Sequence, residues 1–218
     1  MKADVRLNAI VDPERANGRS LADLTRMVVA GGATLIQLRD KHGGTRQMIE
    51  EARAIKAALA GTGVPLVVND RVDVALVAGA DGVHVGQEDM RVDDARRLLG
   101  PDAIIGLSIK TVALATAAPL EHLDYVGVGG VYATTSKDNP NMPIGVNGLR
   151  EIVAAFRKRK RDLPICGIAG IEAGNAAPVI AAGADGVAVI SALSMNPDPQ
   201  SAARELRGVV DAALKARS

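Results

Sequence analysis

The chain has 218 residues and a formal net charge of +1, so it offers no global electrostatic attraction to nucleic acid or to an anionic membrane. A single cysteine, Cys166, excludes an internal disulfide and a cysteine-rich metal centre, and no apolar run is long and unbroken enough for a membrane span or a signal peptide. Hydrophobic residues make up 48% of the chain, yet it holds one Phe and two Tyr, so the core must be built from Val, Ile, Leu and Ala, the composition of helices packed on a buried parallel sheet.

In chain order, the first strand is expected over Val5 to Val11 and runs into Asp12-Pro13-Glu14-Arg15. The second, Thr34 to Leu38, leads to Arg39 and Lys41, and after Gly43-Gly44-Thr45 a helical stripe follows at Met48, Ala52, Ile55 and Leu59. Leu66 to Val68 forms a third strand that stops at Asn69-Asp70. A helix with Val72, Ala75, Leu76 and Ala78 at helical spacing separates it from a fourth, Gly82 to Val85, which stops at Gly86-Gln87-Glu88-Asp89. Ile104 to Leu107 ends at Ser108, and Tyr125 to Val128 leads to an Asn-, Pro- and Gly-rich loop from Ala133 to Pro143. A helix beginning near Asn147 closes on Arg157-Lys158-Arg159-Lys160-Arg161, a run that complements the helix dipole and is expected to stay solvated rather than to bind nucleic acid, since no aromatics interleave. The seventh and eighth strands, Ile165 to Ile168 and Gly186 to Ile190, end in Ala169-Gly170 and Ser191. The last helix, with Ala202, Leu206, Val209 and Ala213 in its stripe, opens with a capping Asp198 and Pro199.

One phrase recurs: Gly32-Ala33-Thr34, Gly79-Ala80-Asp81-Gly82 and Gly183-Ala184-Asp185-Gly186 each join the end of an Ala-rich helix to a buried strand. Eight such strand-helix units predict a (β/α)₈ barrel forming one domain over residues 1–218. The competing doubly wound sheet has fewer strands and a Gly-rich turn after the first, where this chain has Asp12-Pro13-Glu14-Arg15.

In a barrel the carboxyl ends of all strands face one mouth, so their polar endings belong to one site. Asp70 and Asp89 end strands that a helical crossover makes parallel and adjacent, about 5 Å apart, close enough to share a divalent cation. Asp is also a common helix N-cap after a strand, and the local pattern leaves both readings open. Arg39, Lys41 and Lys137 bring positive charge to the same rim, which suits a polyphosphate. The Ala169-Gly170 turn and Ser191 offer backbone N–H groups to a second, smaller anion. His84 is expected to be a packed, hydrogen-bonded residue, Cys166 a small core residue, and His42 and His122 surface residues.

With these motifs in place, the chain resembles the thiamine phosphate synthase family. The resemblance runs through Gln37-Leu38-Arg39-Asp40-Lys41, Asn69-Asp70-Arg71, His84-Val85-Gly86-Gln87-Glu88-Asp89, Thr134-Thr135-Ser136-Lys137 and Gly183-Ala184-Asp185-Gly186-Val187. It implies a (β/α)₈ barrel and a transferase of thiamine biosynthesis that joins hydroxymethylpyrimidine diphosphate to hydroxyethylthiazole phosphate, giving thiamine phosphate and pyrophosphate. It further implies that Gln37, Arg39, Lys41, Asn69, Ser108 and Lys137 hold the pyrimidine diphosphate, with Arg39, Lys41 and Lys137 serving catalysis. Asp70 and Asp89 would hold Mg²⁺, and Thr134, Ser136, Gly170, Ile190 and Ser191 the thiazole phosphate. In the family the carbon–oxygen bond is thought to break before the thiazole nitrogen attacks, and the loop from Ala133 to Pro143 is expected to act as a lid against water. Two departures stand out: Ala133 replaces a common Pro, and Ile168-Ala169-Gly170 replaces Ile-Gly-Gly. The alternatives are a thiazole tautomerase-like isomerase and a non-catalytic binder of thiazole or thiamine phosphate. The implied partners are two small phosphorylated substrates, with no nucleic acid and no membrane; the expected compartment is the cytoplasm, and a homo-oligomer is left open.

Overall fold

The computed structural model describes residues 3–136 and 142–217. Eight parallel strands close on themselves in sequence order: β1 (Leu7–Val11), β2 (Leu35–Leu38), β3 (Leu66–Asn69), β4 (Gly82–Val85), β5 (Ile104–Ile109), β6 (Tyr125–Gly129), β7 (Ile165–Ile168) and β8 (Gly186–Val189). Outside them lie α1 (Leu21–Ala30), α2 (Thr45–Ala58), α3 (Val72–Ala78), α4 (Val92–Leu99), α5 (Val112–Ala117), α6 (Gly145–Arg159), α7 (Ala176–Ala181), the one-turn α8 (Ser191–Ser194) and α9 (Pro199–Arg217). The expected (β/α)₈ barrel is therefore the observed fold, with strand ends that shift by one or two residues, as hydrogen-bonded boundaries commonly do.

Strand alternation divides the core in two. One set, including Leu7, Ile36, Val68 and Val83, points outward against the helices, while Ile10, Leu35, Val67, Ile104, Tyr125, Cys166 and Ala188 fill the barrel interior. The interior holds a large ring because its neighbours are small. A Cβ on Gly106 would lie 2.2 Å from the Tyr125 ring and 2.5 Å from His84 Nδ1, so only glycine leaves the space that this pair fills.

The Asp of the recurring Ala-Asp-Gly phrase now has a physical role at the amino-terminal end of the strands, one that Asp124 of Leu123-Asp124-Tyr125 shares. Asp81 accepts a hydrogen bond from Leu66 N at 2.7 Å, Asp124 from Ile105 N at 2.8 Å and Asp185 from Ile165 N at 3.0 Å. Each carboxylate also meets a cation from a neighbouring helix: Lys56 at 2.8 Å, Arg96 at 2.6 Å and Arg157 at 2.6 Å. Thr34 does the equivalent for Leu7 N at 3.0 Å. These side chains bolt β2, β4, β6 and β8 each to the preceding strand, where that strand's early amide lacks a ladder partner.

Three details differ from the sequence expectation. The basic run is not simply solvated: Arg157 binds Asp185 and the Leu163 carbonyl, Arg159 binds the Ala115 and Ala118 carbonyls, and Lys160 binds that of Leu120, so the run closes the barrel floor. The buried face of α9 centres on Ala203, Leu206 and Val210, with Ala202, Val209 and Ala213 flanking it, because the helix settles between α1 and α7. In α3 the buried residues are Val72, Val74 and Ala75, while Leu76 turns outward, since so short a helix covers only one strand edge.

Two measurements check this scheme. Asp185→Ala removes the bonds to Ile165 N, Arg157 and Arg217 and should lower stability by about 2 kcal/mol in urea unfolding, a figure reduced because the carboxylate is partly solvated. Burial pushes the Cys166 thiol up to about 12 from an ordinary 9.0, so a disulfide reagent at about pH 8 should label only unfolded protein. The fold favours the neutral thiol, so its contribution is whole below pH 9.0 and is lost as pH climbs toward 12.

Candidate active site

At the carboxyl ends of the strands, the chain leaves β3 through a sharp turn. Asp70 has φ 65, a left-handed conformation that Asp tolerates better than most residues, and its N–H still donates to the His84 carbonyl at 2.8 Å. The two acids are not helix caps. Arg71 and Arg91 occupy the N-cap positions of α3 and α4, with no side-chain cap bond at either helix. Asp89 instead folds back to accept from Gly86 N at 2.7 Å.

The carboxyl group of Asp70 is raised above the ordinary carboxylate range by burial. Its Lys41 partner opposes this and the nearby Asp89 carboxylate adds to it. A partly buried Asp70 with a second carboxylate beside it is the electrostatic setting that a bound cation relieves. Lys41 reaches Asp70 from the loop after β2. Asp40 shapes that loop, its carboxylate accepting from His42 N at 3.0 Å and Gly43 N at 2.7 Å. A Cβ on Gly43 would lie 1.8 Å from that carboxylate, so any larger residue there would displace the Asp40 side chain that shapes the turn.

Arg39 follows β2, its N–H donating to the Val11 carbonyl at 2.9 Å and its guanidinium paired with the buried Asp12. Gln37 lies below, 3% exposed, near the Tyr125 phenol, whose pKa burial holds well above the usual tyrosine value. The phenol oxygen is 2.8 Å from His84 Nδ1, and His84 Nε2 is 2.9 Å from the Ser108 hydroxyl. His84 is thus a packed, hydrogen-bonded interior residue that fixes Ser108 at the floor of the mouth. Gln87 bonds the Ser108 carbonyl at 2.6 Å, and Asn69, half-buried at the end of β3, pairs in register with His84.

On the other side of the mouth, Thr134, Ser136, Gly170, Ile190 and Ser191 together line one cavity of about 50 Å³. Ala169 and Gly170 adopt φ 85 and 64, turning the chain after β7 so that the cavity opens above the barrel; Ala169 holds this left-handed conformation despite its methyl group. The Ser136 and Ser191 hydroxyls touch, and Ser136 N donates to Thr134 Oγ1 at 3.1 Å. Larger depressions of about 630 and 750 Å³ lie at the opposite, amino-terminal end and contain none of the expected site residues. Lys137 and the rest of 137–141, five of the eleven residues of the expected lid, lie outside the described residues.

Asp70 and Asp89, Lys41, Arg39, Asn69 and Ser108 thus share one face with the small cavity. Sequence reading missed Asp12, Arg15 and Tyr125. Asp12 continues the inward alternation of Asn8 and Ile10, a signal that could have placed it at the mouth beside Arg39. Among the described residues no three His, Cys, Asp or Glu side chains converge as a metal cage. Two carboxylates alone suit a hard cation that keeps water or phosphate oxygens in its remaining positions, as Mg²⁺ does.

Comparison with known proteins agrees with this geometry. The family model described as thiamine monophosphate synthase matches residues 7–193. The chain is 52% identical over 216 residues to the thiamine-phosphate synthase of Agrobacterium fabrum, covering 99% of this chain and 98% of that protein. It is 47% identical to that of Chloroflexus aurantiacus, covering 95% and 93%. The solved thiamine phosphate pyrophosphorylase of Pyrococcus furiosus superposes with a TM-score of 0.84 at 35% identity, covering 98% of each chain. The chain belongs to the thiamine monophosphate synthase family, transferases of thiamine biosynthesis.

Proposed function

We propose that this protein joins hydroxymethylpyrimidine diphosphate to hydroxyethylthiazole phosphate, releasing pyrophosphate and forming thiamine phosphate, and that the one barrel is the whole catalytic unit. The observation that carries the reading is the Asp70 and Asp89 pair, which caps no helix, lies beside Lys41 and shares the mouth with the cavity of Thr134, Ser136, Gly170, Ile190 and Ser191. Asp70 and Asp89 would hold Mg²⁺. When bound, the ion supplies positive charge to the diphosphate oxygens.

The side chains do the rest. Arg39 and Lys41, joined by Lys137, neutralise the charge that builds on pyrophosphate as the carbon–oxygen bond breaks. Gln37, Asn69 and Ser108 orient the pyrimidine, Ser108 through a hydroxyl already held by His84. The small cavity holds the thiazole phosphate so that the ring nitrogen lies ready to attack. That nitrogen has no proton to lose, so no general base is required; the imidazole of His84 and the thiol of Cys166 are committed to internal hydrogen bonds. A tautomerase needs no diphosphate-binding rim, and a mere binder needs no paired acids. Among the described residues no helix is long and apolar enough to cross a membrane, and we place the protein in the cytoplasm, acting on these two small substrates.

Purified protein with both substrates and Mg²⁺ should yield thiamine phosphate; folded protein that yields none overturns the reading. Asp89→Asn keeps the shape of the Gly86 turn but removes a charge, and should lower kcat/KM about 100-fold or more with unchanged thermal stability. A loss below about threefold would contradict the metal-holding role.

A further inference from the structure

β1 supplies none of the residues expected to touch substrate, yet the turn that follows it reaches both halves of the mouth. Asp12 pairs with Arg39 on the diphosphate side. Three residues on, Arg15 Nη2 donates to the Thr135 carbonyl at 2.8 Å, a contact between positions 120 apart in sequence. Thr135 sits between Thr134 and Ser136, which line the small cavity.

We propose that Arg15 is a positioning residue, a latch that fastens segment 134–136 over the thiazole phosphate cavity. The turn is built to keep the latch still. Asp12 Oδ1 accepts from Glu14 N at 3.0 Å, Arg15 N donates to the Asp12 carbonyl at 2.9 Å, Pro13 fixes the backbone at the first position of a one-turn helix, and Ala16 is buried beneath it. The segment it holds arises from β6, and the latch comes from β1, across the ends of β7 and β8. Ser136 is already in contact with Ser191 after β8, so the arc 134–136 is pinned at two points, one on each side of the cavity. A guanidinium donor suits the task because it aims a charge-assisted N–H at a carbonyl without needing a partner charge.

Arg15 touches neither phosphate side in this arrangement, so its loss should be felt in how the thiazole phosphate is held and in how well water is kept from the reacting carbon. The inference rests on the synthase reading above.

The test compares Arg15→Ala and Arg15→Lys with Arg46→Ala, which removes an exposed charge at the start of α2 on the same face without touching segment 134–136. Arg15→Ala should raise KM for hydroxyethylthiazole phosphate about five- to tenfold, leave KM for the pyrimidine diphosphate within about twofold, and increase the share of pyrimidine alcohol relative to thiamine phosphate. Arg15→Lys should recover part of the loss, and thermal stability should be unchanged in both. Equal shifts in the two KM values, matched by Arg46→Ala, would mean simple electrostatic steering and overturn the latch. A working wild-type enzyme with Arg15→Ala indistinguishable from it would do the same. A wild-type chain that makes no product would instead overturn the synthase reading on which the latch depends.

Discussion

The site turns on bringing two carboxylates together at one edge of the barrel mouth, Asp70 partly buried and Asp89 exposed beside it. Asp70 and Asp89 face each other because a right-handed crossover forces β3 and β4 to run parallel and end side by side. Burial and mutual repulsion raise the carboxyl group of Asp70, and Lys41 offsets part of that cost. A partly buried acid beside a second carboxylate gains from a cation placed between them, which is the ground on which we propose the pair as a metal site.

The barrel separates the duties of its acids by end. At the amino-terminal end, Asp81, Asp124 and Asp185 are each satisfied by a strand amide and a helix cation, an arrangement that locks successive units together. At the carboxyl end Asp12 is satisfied in the same way, by Glu14 N and Arg39, but among the described residues Asp70 pairs with the Lys41 cation and Asp89 accepts from the Gly86 amide, neither having both kinds of partner. Stability and chemistry therefore sit on opposite faces, which lets the loops at the mouth vary without loosening the floor. Between them, the chain of hydrogen bonds from Tyr125 through His84 to Ser108 carries rigidity from the packed interior up to the mouth.

Much of this was legible in the sequence, for identifiable reasons. Strand order and barrel closure follow from a repeating unit whose helix ends, turns and buried strands recur at regular spacing. The closeness of Asp70 and Asp89 was legible because a helical crossover makes their strands parallel and adjacent, so both end on one edge. Whether they cap helices was not, since capping depends on backbone angles that residue type does not specify; the left-handed turn at Asp70 decides it. The fate of Arg157, Arg159 and Lys160 was also hidden, because their partners are backbone carbonyls supplied by distant segments. Arg15 escaped for the same reason: its acceptor is the carbonyl of a residue brought near only when the barrel closes.

The most direct measurement of the central claim is Mn²⁺ electron paramagnetic resonance with pyrophosphate as the companion ligand. The aqueous Mn²⁺ signal should diminish when wild-type protein and pyrophosphate are both present, and Asp70→Asn should restore it. Equal uptake of Mn²⁺ by wild-type and Asp70→Asn protein would contradict the assignment of the carboxylate pair as the metal site.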